Sequence, residues 1–165
     1  MKPKSTIRPV LYIILFLTSL HSIQLTAQNP ANTKEIALKN KLWNESFKER
    51  DTTRLFSLFE PKSIIISESG QWSGKAKIKN ILLKLFENRP DIEMTFDSNK
   101  IEVMDEWNVA YETGNWIESW TEKDDSEKSI ITGKYWKMYK KIEEHWFLNS
   151  LVLTPLTCSG SYCNK

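Results

Sequence analysis

The sequence predicts an α+β fold in which three helices precede a long, aromatic-rich antiparallel sheet that curls around them. Three observations carry this. Apolar residues recur at helical spacing in three segments before Pro90, and after it they alternate with polar residues at a period of two. The later turns, KDDSEK and KIEE, are short and polar, as hairpin connections between consecutive antiparallel strands require.

The first helix is expected from about Thr33 to Glu49, where Ile36, Asn40, Trp43 and Phe47 fall on one stripe with Leu42 beside them. ESFKERDTTRLFSLFEPKS then interrupts that stripe with charge and resumes it. Asp51 has the character of an N-cap, because its carboxylate can accept from backbone N–H groups two and three residues on. Leu55, Phe56, Leu58 and Phe59 form the next apolar face, and Pro61 is expected to end it. The stretch is thus two helices with a tight turn at Arg50 and Asp51, a hinged pair suited to closing the mouth of a cavity. Ile64, Ile65 and Ile66 make a short buried strand that returns through Trp72 after a Ser69-Gly70 turn. Ser73-Gly74 starts a third helix bearing Ile78, Ile81, Leu82, Leu85 and Phe86. Strands follow at Ile92 to Val103 with a break at Asn99, then from about Trp107 to Thr121, Ile130 to Lys140 and Trp146 to Leu153.

The ends of the chain carry a different signal. Lys2, Lys4 and Arg8 precede an apolar run from Val10 to Leu17, and small residues lead to Ala27. This is the pattern of a secretory signal peptide over 1–27, with cleavage before Gln28. The run is short of the roughly 20 apolar residues of a membrane span, which makes an uncleaved anchor the lesser alternative. The domain is then expected over 28–154 and a tail over 155–165, in an exported, periplasmic or secreted protein without stable membrane insertion. Loss of the leader removes three basic residues and no acid, leaving 20 basic against 21 acidic residues, about −1. No basic footprint for nucleic acid remains. In an oxidising compartment Cys158 and Cys163 can close a small disulfide loop with Gly160 in its turn, and the alternative is a frayed tail with two free thiols. So short a loop staples the tail and adds little to the fold.

Several stretches in fixed order carry a resemblance: Trp43 with Asp51 eight residues on, LFSLF, Gly70-x-Trp72-x-Gly74, AYETG at Ala110 to Gly114, GKYWKMY at Gly133 to Tyr139, and a last strand begun by Trp146. In this order they resemble the nuclear transport factor 2-like superfamily, and within it the SnoaL-like and ketosteroid-isomerase-like group, over about Lys34 to Leu153. The resemblance implies a cone, a strongly curved sheet with helices across its concave face and a mostly apolar pocket open at one end. Trp43, Phe47, Trp72, Phe86, Trp116, Tyr135 and Trp136 are the aromatic candidates for its lining, with Asn149 as a polar one, and for each the alternative is plain core. The ligand expected is a small apolar or aromatic molecule.

Catalytic residues transfer poorly from the resemblance. The oxyanion-donating Tyr and the basic Asp of steroid isomerases fall at Trp43 and about Ser67. The indole N–H donates, but Ser67 is no comparable base, and neighbouring Glu68 points to the opposite face. The place where related domains carry a last-strand Asp holds Leu151, and the one mature His, His145, lies in a turn next to Glu143 and Glu144. Glu112 remains as the catalytic candidate. Facing inward it would be a buried general base with a raised pKa; facing outward it would be a solvated strand residue pairing with Lys134. Asn44-Glu45-Ser46 matches a glycosylation sequon inside a helix. There is no phosphate loop, nucleophile elbow or clustered metal ligand set, so neither cofactor nor metal is expected. Three functions stand: a pocket protein for a small molecule; an acid–base isomerase, cyclase or dehydratase; and an interaction domain, with a homodimer through the outer sheet face, favoured if Trp107, Trp120 and Tyr139 are exposed.

Overall fold

The computed structural model describes residues 29–123 and 126–164, so the expected signal peptide and its cleavage point lie outside the described residues. Helix α1 spans Pro30–Glu49, α2 Thr52–Ser57 and α3 Lys75–Asn88. The strands are β1 Phe59–Ser67, β2 Gly70–Ser73, β3 Glu93–Met104, β4 Val109–Thr121, β5 Lys128–Ile142 and β6 His145–Ser159. They form one curved, unclosed sheet in the order β2-β1-β6-β5-β4-β3. The last four strands are the expected antiparallel meander, whereas β1 runs parallel to β6, which makes the sheet mixed.

Helix α1 buries Ile36, Asn40, Trp43 and Phe47, the stripe its spacing predicts. It ends where Arg50 turns left-handed at φ 59°, and Asp51 caps α2 by accepting from the Arg54 N–H at 3.0 Å. The turn is pinned. The Arg50 guanidinium donates to the carbonyls of Pro90 (3.0 Å) and Ile92 (2.6 Å) and lies 4.4 Å over the Phe86 ring. Leu55 and Phe56 drive α2 into the core, so α1 and α2 form a fixed corner and not a hinged lid. Pro61 lies inside β1, in the irregular stretch between Phe59 and Ile64 where a residue without an N–H is tolerated. Of the three isoleucines only Ile65 faces the core, because successive strand residues point to opposite sides, and Ile66 is exposed.

Two polar side chains fasten α1 across the concave face. Asn44 accepts from the Phe96 N–H and donates to the Phe96 carbonyl, both at 3.0 Å, and Asn40 donates to the same carbonyl at 3.2 Å. The sequon Asn44-Glu45-Ser46 is thereby accounted for as structure: its Asn amide is engaged and Ser46 is fully buried. The sheet bends at two glycines. A Cβ on Gly114 would lie 2.0 Å from the Asp97 carbonyl oxygen, and one on Gly133 would lie 2.2 Å from that of Thr154, so neither strand pair could close with a larger residue. Both sit beside register shifts, where bulges increase twist and bend a sheet.

Strand parity decides which residues face inward. On β4 the inward set is Ala110, Glu112, Gly114, Trp116, Glu118 and Trp120, and on β5 it includes Ile131, Gly133, Tyr135, Lys137 and Tyr139. Trp120 and Tyr139 are therefore buried, and of the three aromatics that would mark an interface only Trp107 is exposed. Strand β6 runs past Leu153 to Ser159, and the Cys158–Cys163 disulfide is formed there with its Cα atoms 5.7 Å apart. The tail is closed, not frayed.

Candidate ligand pocket

Between α3 and the concave face lies a cavity of about 480 Å³. Helix α3 supplies one wall because Ile81, Leu82 and Leu85 recur on the face it turns to the sheet, and inward residues such as Met94, Leu151 and Leu153 supply the other. Trp43 forms the end nearest α1, and Trp72 and Ile65 lie towards β2. Trp43 is 2 % exposed, and its indole N–H is buried without a hydrogen-bond partner. A buried donor left unpaired is costly.

The polar end of the cavity is an ion pair. Arg89, at the C-terminus of α3, donates to Glu118 at 2.9 Å, and both side chains are largely buried. Burial pushes the Glu118 carboxyl above the usual glutamate range, and Arg89 pulls it back down. The guanidinium also stacks 3.6 Å over the Trp120 ring and lies 5.1 Å from that of Tyr162. Ser67 and Ser69 add hydroxyls nearby. The cavity is thus mostly apolar, with a cation, a carboxyl and a phenol at one end.

Glu112 faces inward but is not on this cavity. It is fully buried deeper in the cone, accepting from the Tyr135 hydroxyl at 2.8 Å through one oxygen and from the Tyr139 hydroxyl at 2.6 Å through the other. Lys137, its cross-strand neighbour, donates to the Asn40 side-chain oxygen at 2.6 Å and lies 3.8 Å over the Phe96 ring. Burial lowers the Lys137 pKa to about 7, with Glu112 opposing the shift. Burial and Glu112 together raise the Tyr135 and Tyr139 hydroxyls, which stay protonated as donors. Both Glu112 oxygens are committed and the residue is fully buried, so the cluster ties β4, β5 and α1 together. Lys134, the partner expected of an outward Glu112, donates instead to Asn115.

The aromatic candidates divide accordingly. Trp43 and Trp72 line the cavity, whereas Phe47, Phe86, Trp116 and Tyr135 are packed around it or behind it. Trp136 does not line it: as the neighbour of inward Tyr135 it points outward and packs 5.3 Å from Tyr111 on the other face of the sheet. Asn149 sits at a register shift of β6 and donates to Glu60, away from the cavity. His145 is exposed at the start of β6. Among the described residues no three His, Cys, Asp or Glu side chains are placed to hold a metal ion, and no helix is long and apolar enough to cross a membrane. Arg89, Glu118 and Tyr162 escaped the sequence reading. The parity argument for Glu112 applies equally to Glu118, six residues on, and would have found it.

A family model for the SnoaL-like domain matches residues 36–153. The chain belongs to the SnoaL-like family. No curated protein matches it by sequence. Solved structures similar to this SnoaL-like chain include the hexachlorocyclohexane dehydrochlorinase LinA-type3 of Novosphingobium barchaimii LL02, at 13 % identity and TM-score 0.70 over 78 % of this chain and 89 % of that one. A nuclear transport factor 2-like superfamily protein of Salmonella enterica serovar Typhimurium LT2 matches at 19 % and 0.67, covering 78 % and 94 %. A scytalone dehydratase candidate from Novosphingobium aromaticivorans DSM 12444 matches at 13 % and 0.70, covering 79 % and 88 %. At these identities the likeness shows the cone fold of the superfamily.

Proposed function

We propose that this SnoaL-like domain is an exported pocket protein that binds a small, flat, apolar or aromatic molecule bearing a hydrogen-bond acceptor. The observation that carries this is the cavity of about 480 Å³, whose volume and mostly apolar lining suit a ligand of two or three fused rings. The Arg89 guanidinium gives such a ligand a donor at the polar end of the wall. Export is supported by the basic and apolar leader and by the disulfide, since bridges persist in oxidising compartments.

Titration with 1-anilinonaphthalene-8-sulfonate, followed by dye emission and Trp quenching, tests the reading. The wild type should bind at one site, and Leu85→Trp, which fills the cavity from α3, should lose at least tenfold in affinity. Equal binding by the two proteins would place the dye elsewhere and remove the reading.

A second reading rests on Glu118. A carboxyl raised by burial on a cavity wall, beside an Arg, has the setting of a general acid–base. In an acid–base enzyme of this family the proton would therefore move through Glu118 and not Glu112. Glu118→Gln would then abolish turnover while preserving the cavity, whereas a pure binder has no turnover to lose.

A further inference from the structure

We infer that the Cys158–Cys163 disulfide is a latch that holds Tyr162 in place as one wall of the ligand pocket, so that its reduction weakens ligand binding without unfolding the domain. This rests on the proposed binding function and adds a binding residue and a means of control to the same site.

Tyr162 is one of the four residues enclosed by the bridge and lies in the short 3-10 turn Ser161–Asn164. Its ring meets that of Trp120 edge-on at 5.0 Å and stands 5.1 Å from the Arg89 guanidinium, so Arg89 lies against two aromatic rings. Tyr162 and Arg89 line both the 480 Å³ cavity and a neighbouring depression of about 330 Å³ that reaches Thr121 and Lys123. With Asn88, which also lines both, they are the partition between the two. Withdrawal of the phenol would join the spaces, open the polar end of the pocket to water and remove one of the rings that orient Arg89.

Apart from its contacts with Trp120 and Arg89, little besides the bridge holds that phenol. The last β5–β6 partners are Ile130 and Ser159, and beyond them the backbone is fixed by Tyr162 N–H to Ser129 Oγ at 3.3 Å and Cys163 N–H to the Gly160 carbonyl at 3.1 Å. Gly160, at φ 94°, turns the chain so closely over Lys128 and Ser129 that a Cβ would lie 2.6 Å from the Lys128 carbonyl. A segment beyond the last strand pairing, held by so few hydrogen bonds, loses its order readily, and a closed loop has surrendered most of that entropy beforehand. The pocket residues Trp43, Leu82 and Leu151 lie in the main core, of which neither cysteine is a member, so the domain survives opening of the bridge.

Cys158 is on the surface, where a dithiol can reach it. A reagent thiolate attacks one sulfur of the bridge to form a mixed disulfide, and the reagent's second thiol displaces the protein sulfur. Two electrons and two protons pass to Cys158 and Cys163, which become thiols, and the dithiol leaves as its cyclic disulfide.

The experiment titrates 1-anilinonaphthalene-8-sulfonate into oxidised wild type, wild type reduced with dithiothreitol, Cys158→Ser/Cys163→Ser, Tyr162→Ala, Tyr162→Phe and Leu85→Trp, with far-UV circular dichroism and thermal melting of each. Loss of an aromatic wall contact should weaken dye binding by about three- to tenfold in the reduced protein, the double Ser variant and Tyr162→Ala. Tyr162→Phe keeps the ring and should recover most of the affinity that Tyr162→Ala loses. Reduction of Tyr162→Ala should have no further effect, since latch and wall act through the same contact. If reduction and Tyr162→Ala leave affinity unchanged while Leu85→Trp abolishes it, the pocket stands and the latch is overturned. Melting on reduction overturns it as well, by showing the bridge to be structural. If oxidised wild type binds no dye, or Leu85→Trp binds as well as wild type, the binding function itself fails and the latch falls with it.

Discussion

Lys137 should make the protein more stable in mild alkali. Its ammonium is buried at 1 % exposure, and burial lowers its pKa from 10.5 to about 7 against the opposing pull of Glu112. In the unfolded chain the same amine holds its proton up to about 10.5. Between these values unfolding takes up a proton, so stability rises with pH; the Lys137 contribution is fully present above 10.5, declines as pH falls from 10.5 to about 7 and is gone below that. The whole difference is on the order of 5 kcal/mol, at about 1.4 kcal/mol per pH unit. Tyr135 and Tyr139, raised by burial and by Glu112, act in the opposite sense, with stability present below about 10 and lost above it. The window that isolates Lys137 is therefore about pH 7 to 9, where a gain of ~2 kcal/mol is expected. Urea unfolding followed by Trp fluorescence at pH 7, 8 and 9 measures it, and Lys137→Met, which keeps the length and apolar stem, should flatten the profile. Parallel profiles for the two proteins would refute the reasoning, because they would show Lys137 charged throughout in the folded state.

Three further substitutions test the frame around the pocket. Asp51→Ala removes the N-cap of α2 and should cost about 0.5–2 kcal/mol in urea unfolding, with dye affinity unchanged because α2 does not line the cavity. Gly133→Ala drives a Cβ into the Thr154 carbonyl and towards the Trp116 indole nitrogen, and should cost about 1–3 kcal/mol and disturb β5–β6 amide shifts. Glu112→Gln leaves two buried tyrosine hydroxyls with one carbonyl acceptor between them, and should cost about 1–3 kcal/mol in stability with dye binding unaffected. A loss of dye affinity in that variant would connect the Glu112 cluster to the pocket.

Local order was legible in the sequence and global placement was not. The spacing of Ile36, Trp43 and Phe47 located α1, the chemistry of Asp51 located the start of α2, and the period-two runs located the meander. Each depends on residues close in the chain. The parallel pairing of β1 with β6 joins Ile64 to Ser150 and has no local signature. Parity alone separated Tyr135 from Trp136, but fixing which parity faces inward needed the position of α1 over Phe96. The expectation that the α1–α2 pair covers the cavity failed for a similar reason. Arg50 reaches carbonyls 40 and 42 residues away, and nothing near Arg50 in the chain announces that anchor. Arg89 and Tyr162 read as a helix-end cation and a tail aromatic until folding stacks them at the pocket's rim.

The central claim, that an apolar ligand enters between α3 and the concave face, is tested most directly by methyl NMR during titration with 1-anilinonaphthalene-8-sulfonate. The account predicts saturating shifts at the methyls of Ile81, Leu82, Leu85, Met94, Leu151 and Leu153, and none at Ile117 and Leu156, which are exposed. Shifts confined to Ile117 and Leu156, with the α3 and Leu151 methyls unmoved, would contradict it.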